Sequence, residues 1–226
     1  MKKVLVLTDS LGLPRMSPSV ISDDQCWTYR LADYCAGRFR FRNVSVPGMD
    51  SNQLLSLARD YYAAIKPDVV VLQVGIVDCY PRAIKKAELS ILLRLPSVIS
   101  RAVHRLVKRF YARLIVARGI RYVQPASFRA NLQMLSEIFE GARIIVVPIA
   151  PPSQTYQAKN PCIASSVDEY NALLSSLFTD GFLQECYPQG AAATIFLSDN
   201  HHLNVAGNGL VFEAVKKQLD AFEADR

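Results

Sequence analysis

"KVLVLTDSLG", residues 3–12, runs through four apolar residues and stops on Thr8, Asp9 and Ser10, with Gly12 close behind. A continuous apolar run of this length suits a strand covered on both faces. Asp, Ser and Gly are turn formers. The stop is therefore either a plain turn whose hydroxyl caps the next segment, or a nucleophile displayed at the carboxyl tip of a strand. The rest of the chain decides between them.

Four more β-rich runs follow, at 41–46 (FRNVSV), 68–74 (DVVVLQV), 143–149 (RIIVVPI) and 194–197 (TIFL). Helical patterns fall between them, at 25–36, 51–65, 97–117, 127–139, 167–177 and 205–222. Strand–helix alternation predicts a mainly parallel, five-stranded sheet between helix layers. Ligands of such sheets sit beyond the carboxyl ends of the strands. The exits here read TDSLG, VPGMDS, VGIVDCYPR, APPSQTY and SDNHHLN, and each carries polar residues or a glycine suited to a site.

The bulk numbers agree with one α/β domain. The chain has 226 residues, half of them hydrophobic and a fifth charged, enough to bury a core without staples. Its five cysteines are odd in number and no two form C-x-x-C, which argues against a disulfide framework or a zinc knuckle. The apolar run after Lys2 and Lys3 is too short for a signal peptide, and no uncharged run is long enough to span a membrane. A cytoplasmic protein is expected.

Three histidines are present, His104, His201 and His202. A serine hydroxyl is a poor nucleophile until a nearby base takes its proton, and histidine titrates in the right range. A carboxylate can then fix the imidazole tautomer. Asp199 precedes His202 by three residues, so one loop can supply both.

TDSLG, the lone Gly48, GIVD (residues 75–78) and DNHHLNVAG (residues 199–207) resemble, in order and spacing, the four blocks of the SGNH/GDSL hydrolases. The resemblance covers nearly the whole chain, and the last block is the most specific. It implies a flavodoxin-like three-layer α/β/α sandwich, Ser10 as nucleophile, His202 as general base and then acid, and Asp199 as its orienting partner. It also implies an oxyanion hole from the Ser10 and Gly48 backbone N–H groups. No metal or cofactor is implied.

Two positions depart from the pattern. Thr8 stands where the family usually has glycine. Val77 stands where the third block has an asparagine whose amide donates to the oxyanion, and valine cannot donate. Asn52 is a candidate substitute. Asp9, Gly75, Asp78 and Arg82 are further candidates to line the site, with Asp78 and Arg82 organising the third-block loop. Each has an ordinary alternative: Ser10 as a turn cap, His202 as a packed histidine, Pro47-Gly48 as a turn signal, Gly75 as a tight strand exit. Only the joint presence of Ser10, Asp199 and His202 in order outweighs these.

The net charge of +6 is concentrated. Residues 89–136 hold nine Lys/Arg and no Asp/Glu, leaving 6 − 9 = −3 for the remainder. A basic helical insertion or cap is expected at about 89–136. Within it, apolar residues recur on one stripe of 97–117 and Arg101, Arg105, Lys108, Arg109 and Arg113 occupy much of the rest. The simplest reading is a helix solvated on one face; the sharper one is a docking surface over 94–121 for an anionic ligand or membrane. Nucleic acid is disfavoured, because Phe110 and Tyr111 belong to the apolar stripe.

The expected activity is serine-dependent cleavage of acyl esters, short-chain O-acyl groups of a small molecule or glycan, through an acyl-enzyme. The alternatives are an O-acyltransferase acting on a carbohydrate and a non-catalytic binding module that keeps the fold.

Overall fold

The computed structural model describes residues 1–224. Four strands, β1 (Lys3–Thr8), β2 (Arg40–Ser45), β3 (Val69–Gln73) and β4 (Arg143–Val146), pair in parallel in the order β2-β1-β3-β4. The helices among the described residues are α1 (Trp27–Cys35), α2 (Ser51–Asp60), α3 (Ile76–Cys79), α4 (Lys86–Leu92), α5 (Ser97–Arg109), α6 (Tyr111–Arg118), α7 (Pro125–Ile138), α8 (Gln154–Lys159), α9 (Ile163–Leu177) and α10 (Val205–Ala224).

Side-chain alternation along the strands builds two cores. Val4, Val6, Val69, Val71 and Ile145 pack against α1 and α10 on one face. Leu5, Leu7, Val70, Leu72 and Val146 pack against α2, α7 and α9 on the other. Both faces are covered, so β1 and β3 read as unbroken apolar runs. The helices meet them through residues four apart: Trp27, Leu31 and Cys35 of α1, and Val211, Val215 and Leu219 of α10, all fully buried. Each aliphatic side chain so buried stabilises the fold by on the order of 2 kcal/mol. The result is the α/β/α sandwich expected.

The expected fifth strand is absent from the sheet. Residues 194–197 form a turn and loop after a 3₁₀ turn at Ala191–Ala193, and they read as apolar because Ile195 is buried in the core beneath α10. Their backbone is spent elsewhere: Leu197 N–H donates to His202 O (2.8 Å) and Asn204 N–H to Ile195 O (2.8 Å). The sheet edge beyond β4 is met instead at Phe182, a single parallel bridge to Val146.

The basic segment also differs from one long cap. The chain breaks at Phe110 between α5 and α6. Phe128, Leu132 and Leu135 place α7 in the main core. α4 and α5, like the short α8, contain no buried residue.

Candidate active site

The order β2-β1-β3 reverses direction around β1, so the crevice beyond its carboxyl end is the expected ligand position. Ser10 stands there, opening a 3₁₀ turn, Ser10–Gly12. Asp9 caps that turn by accepting the Leu11 N–H (2.8 Å). Gly12 is required by close packing: a Cβ would lie 2.2 Å from Thr8 Cγ2 and 2.9 Å from Thr28 Cγ2. Its carbonyl accepts from Thr28 Oγ1 (2.7 Å) and Ser45 Oγ (3.1 Å). Arg15 Nη2 donates to the Ser10 carbonyl (2.6 Å). The stop in the opening stretch is thus a turn held from three sides that exposes a hydroxyl.

The other partners come from the loop before α10. A bridge between Phe196 and Leu203 closes this loop. The Asn204 amide ties it down through Thr194 O (2.7 Å) and Phe196 O (3.2 Å). His202 Nε2 lies 3.3 Å from Ser10 Oγ, and His202 Nδ1 lies 2.7 Å from Asp199 Oδ2. Asp199 Oδ1 accepts the backbone N–H groups of His201 and His202, both at 3.0 Å.

Burial pushes the Asp199 carboxyl up, but its bonds from the His202 ring and the two amides outweigh that and hold it below its usual value. Burial lowers His202 despite its hydrogen bond to Asp199, with the Arg15 charge adding to the fall. A neutral His202 with Nδ1–H on Asp199 leaves Nε2 free to accept the Ser10 proton.

Ser10, Gly48 and Val77 share an open pocket of about 380 Å³ with Tyr80, Arg82, Tyr122, Tyr156 and His201. Gly48 sits in a turn closed by Met49 N–H to Val46 O (3.2 Å), with Pro47 before it and φ +68°, as a type II turn demands of its third residue. The Ser10 and Gly48 N–H groups donate to no other group among the described residues. They are free to meet a developing oxyanion.

Gly75 (φ +115°) starts the short α3. Asp78 is fully buried and accepts the Ser51 N–H (2.8 Å), joining α3 to the start of α2. It makes no bond to Arg82, contrary to expectation. Asn52 is not among the residues that line this pocket; its Oδ1 accepts from Asn131 Nδ2 of α7 (2.9 Å). Burial raises Asp78 to about 6; burial, with the Asp78 charge added, raises Asp9 to about 7.

Spacing alone missed the aromatic wall. Tyr80 and Tyr156 stand 5.8 Å apart by ring centroids, and Tyr156 OH reaches His201 Nδ1 at 3.4 Å. His201 meets His202 edge-on at 4.6 Å, and burial lowers its pKa to about 4, so it is neutral near pH 7. Tyr80 and Tyr156 both lie in strand exits and could have been marked on that ground.

Solved structures share this arrangement of strands and helices. A lipase/acylhydrolase from Enterococcus faecalis superposes with a TM-score of 0.66 at 13% identity, over 98% of this chain and 96% of the other. TesA gives 0.60 at 18% identity, over 96% and 98%. A variant of Axe2, an acetyl-xylooligosaccharide esterase from Geobacillus Stearmophilus, gives 0.59 at 16% identity, over 96% and 93%. The chain has the GDSL acylhydrolase fold. No protein-family model and no curated protein matches the sequence. Within the GDSL fold, among the described residues, no cluster of His, Cys, Asp or Glu is placed to hold a metal ion, and no helix is long and apolar enough to cross a membrane.

Proposed function

We propose that this protein is a serine esterase of the SGNH/GDSL type. The observation that carries the reading is the continuous relay from Ser10 Oγ through His202 to Asp199. Ser10 Oγ attacks the ester carbonyl as His202 Nε2 takes its proton. The oxyanion of the tetrahedral adduct meets the Ser10 and Gly48 N–H groups. His202 returns the proton to the departing alcohol oxygen as the ester C–O bond breaks, leaving an acyl-serine. A water then attacks that acyl carbon, gives its proton to His202, and the acid leaves as Ser10 regains its hydrogen.

A short acyl group fits best. A recess of about 20 Å³ adjoins the pocket and shares Ile76, Tyr156 and His201 with it. Leu11, Val74, Ile149 and Val167 also line it, so it suits a small apolar group.

The test is hydrolysis of short-chain aryl esters by wild type and Ser10→Ala, beside labelling by a serine-reactive phosphonate. Ser10→Ala is expected to lose at least about 10³-fold in kcat and all labelling. Activity retained by that variant overturns the reading; an unreactive Ser10 in wild type favours a binding module. Products formed with a sugar acceptor present separate hydrolysis from acyl transfer.

A further inference from the structure

We propose that Arg82 is an anion-binding subsite and that the ester substrate carries a carboxylate, on its acyl or its alcohol part. The inference rests on the esterase reading. Arg82 lies in the wall of the pocket that holds Ser10. Its guanidinium sits 3.8 Å from the Tyr122 ring centroid and 4.9 Å from that of Tyr80. Its Nε is buried without a hydrogen-bond partner, and no carboxylate pairs with it among the described residues. Nearby cations are already committed: Arg118 to Glu88, Arg121 to Glu169 and Lys86 to Asp50.

A stacked guanidinium keeps its fork planar, and that geometry matches a carboxylate through two parallel N–H donors. The pocket wall holds no Asp or Glu to compete for it. The two acidic side chains closest in sequence to the wall, Asp9 and Asp78, are buried and engaged by backbone amides. Arg82 is thus the one charged side chain in an aromatic lining, and the Asp199 carboxylate nearby is taken up by His202 and two backbone amides.

The experiment compares kcat/KM for matched aryl esters: a neutral acyl ester, its ω-carboxylate analogue, and a neutral acyl ester of a carboxylated alcohol. Wild type is expected to prefer one carboxylate-bearing ester over the neutral one, and which one locates the charge. Arg82→Gln is expected to cut that preference by about 10- to 100-fold, the range of hydrogen bonds to charged groups, chiefly through KM. Arg82→Lys is expected to keep part of it. Equal loss on neutral and charged esters, through kcat, overturns the proposal by assigning Arg82 to the oxyanion instead. No preference in wild type also overturns it. Direct binding of the carboxylate esters to Ser10→Ala and to Ser10→Ala/Arg82→Gln separates this outcome from failure of the esterase reading: the subsite predicts weaker binding in the double variant whether or not wild type turns over.

A different observation carries a second inference: we infer that α4 and α5 dock on an anionic lipid surface. The thirteen residues of α5 bury none of their side chains. Ile91, Leu93, Val98 and Leu106 are 60%, 74%, 69% and 58% exposed. An apolar groove of about 480 Å³ opens between α4, α5 and α6, lined by Ile91, Val103, Leu106, Val107 and Phe110. Arg101, Arg105, Lys108 and Arg109 flank this apolar stripe without an acid on α5. An apolar face bordered by cations fits an anionic bilayer; a second copy would bring like charges together. The groove also includes Ala83 and Ile84, next to Arg82, so docking would bring the pocket close to the membrane.

Sedimentation with phosphatidylcholine vesicles, with and without phosphatidylglycerol, tests this. Binding is expected only with the anionic lipid, to weaken in high salt, and to be lost in Arg105→Glu/Arg109→Glu and in Leu106→Glu with unchanged unfolding midpoints. Equal binding to neutral vesicles, no binding, or self-association through this face overturns it.

Discussion

Asp199 grips His202 twice, through the ring Nδ1 at 2.7 Å and through the backbone N–H at 3.0 Å. One carboxylate thus sets both the tautomer of the imidazole and the position of the chain that carries it. Asp199→Asn keeps an oxygen for the amides but favours the wrong tautomer. It is expected to lower kcat by about 10⁴-fold with the unfolding midpoint little changed, which steady-state kinetics beside thermal melts would check.

The acid limb of kcat/KM reports protonation of the base. Burial holds His202 below 6.5, so activity is expected to rise with pH through a midpoint under 6.5 and to level off above it. A midpoint at or above 6.5 in a pH–rate profile contradicts a buried His202 as the base.

In the proposed mechanism, Val77 stands where a further oxyanion donor is expected. Val77→Asn is expected to raise kcat on neutral esters about tenfold, part of the ~10²–10³ that one such donor is worth elsewhere. Because Val77 lines the pocket and is not a core residue, the protein should tolerate the change. Unchanged or lower kcat in the folded variant counts against the assigned oxyanion position.

Asp78 makes stability depend on pH. Its folded carboxyl titrates near 6 against 3.8 for the ordinary group. The folded state therefore holds the proton more tightly. The stability this group confers is complete below pH 3.8 and is lost as pH rises through 6. Asp78→Asn can still accept the Ser51 N–H and carries no charge. It is expected to stabilise the fold by about 3 kcal/mol well above pH 6 and by little near pH 4. Denaturant titrations at both pH values would show the difference or its absence.

Gly12 offers a steric test. Gly12→Ala places a methyl 2.2 Å from Thr8 Cγ2 and is expected to destabilise by about 1–3 kcal/mol. By displacing Ser10, it should lower kcat more than KM. A variant with wild-type stability would show that the turn can open.

The sequence made the sheet and the relay legible for physical reasons. β1 and β3 are buried on both faces, so burial writes itself as unbroken runs of Val and Leu. Asp199 and His202 share one loop, so their spacing is their geometry. Residues 194–197 misled because one buried Ile195 in a turn leaves the same trace as a short strand. Asn52 misled because nearness to Gly48 in sequence says nothing about which way a helix face turns; α2 turns that residue toward Asn131. The wall of Tyr80, Tyr122 and Tyr156 gathers side chains from two strand exits and from the connection between α6 and α7, and no local pattern announces that the three meet.

The Ser10–His202 contact joins residues 192 apart, and α10 anchors its end of the molecule by Asn208 accepting the Trp27 N–H (3.0 Å). On a ribosome the hydroxyl emerges well before the imidazole. At about 5–20 residues per second, Ser10 stays idle over that interval, and chemistry can switch on only once α10 has cleared the exit tunnel and docked.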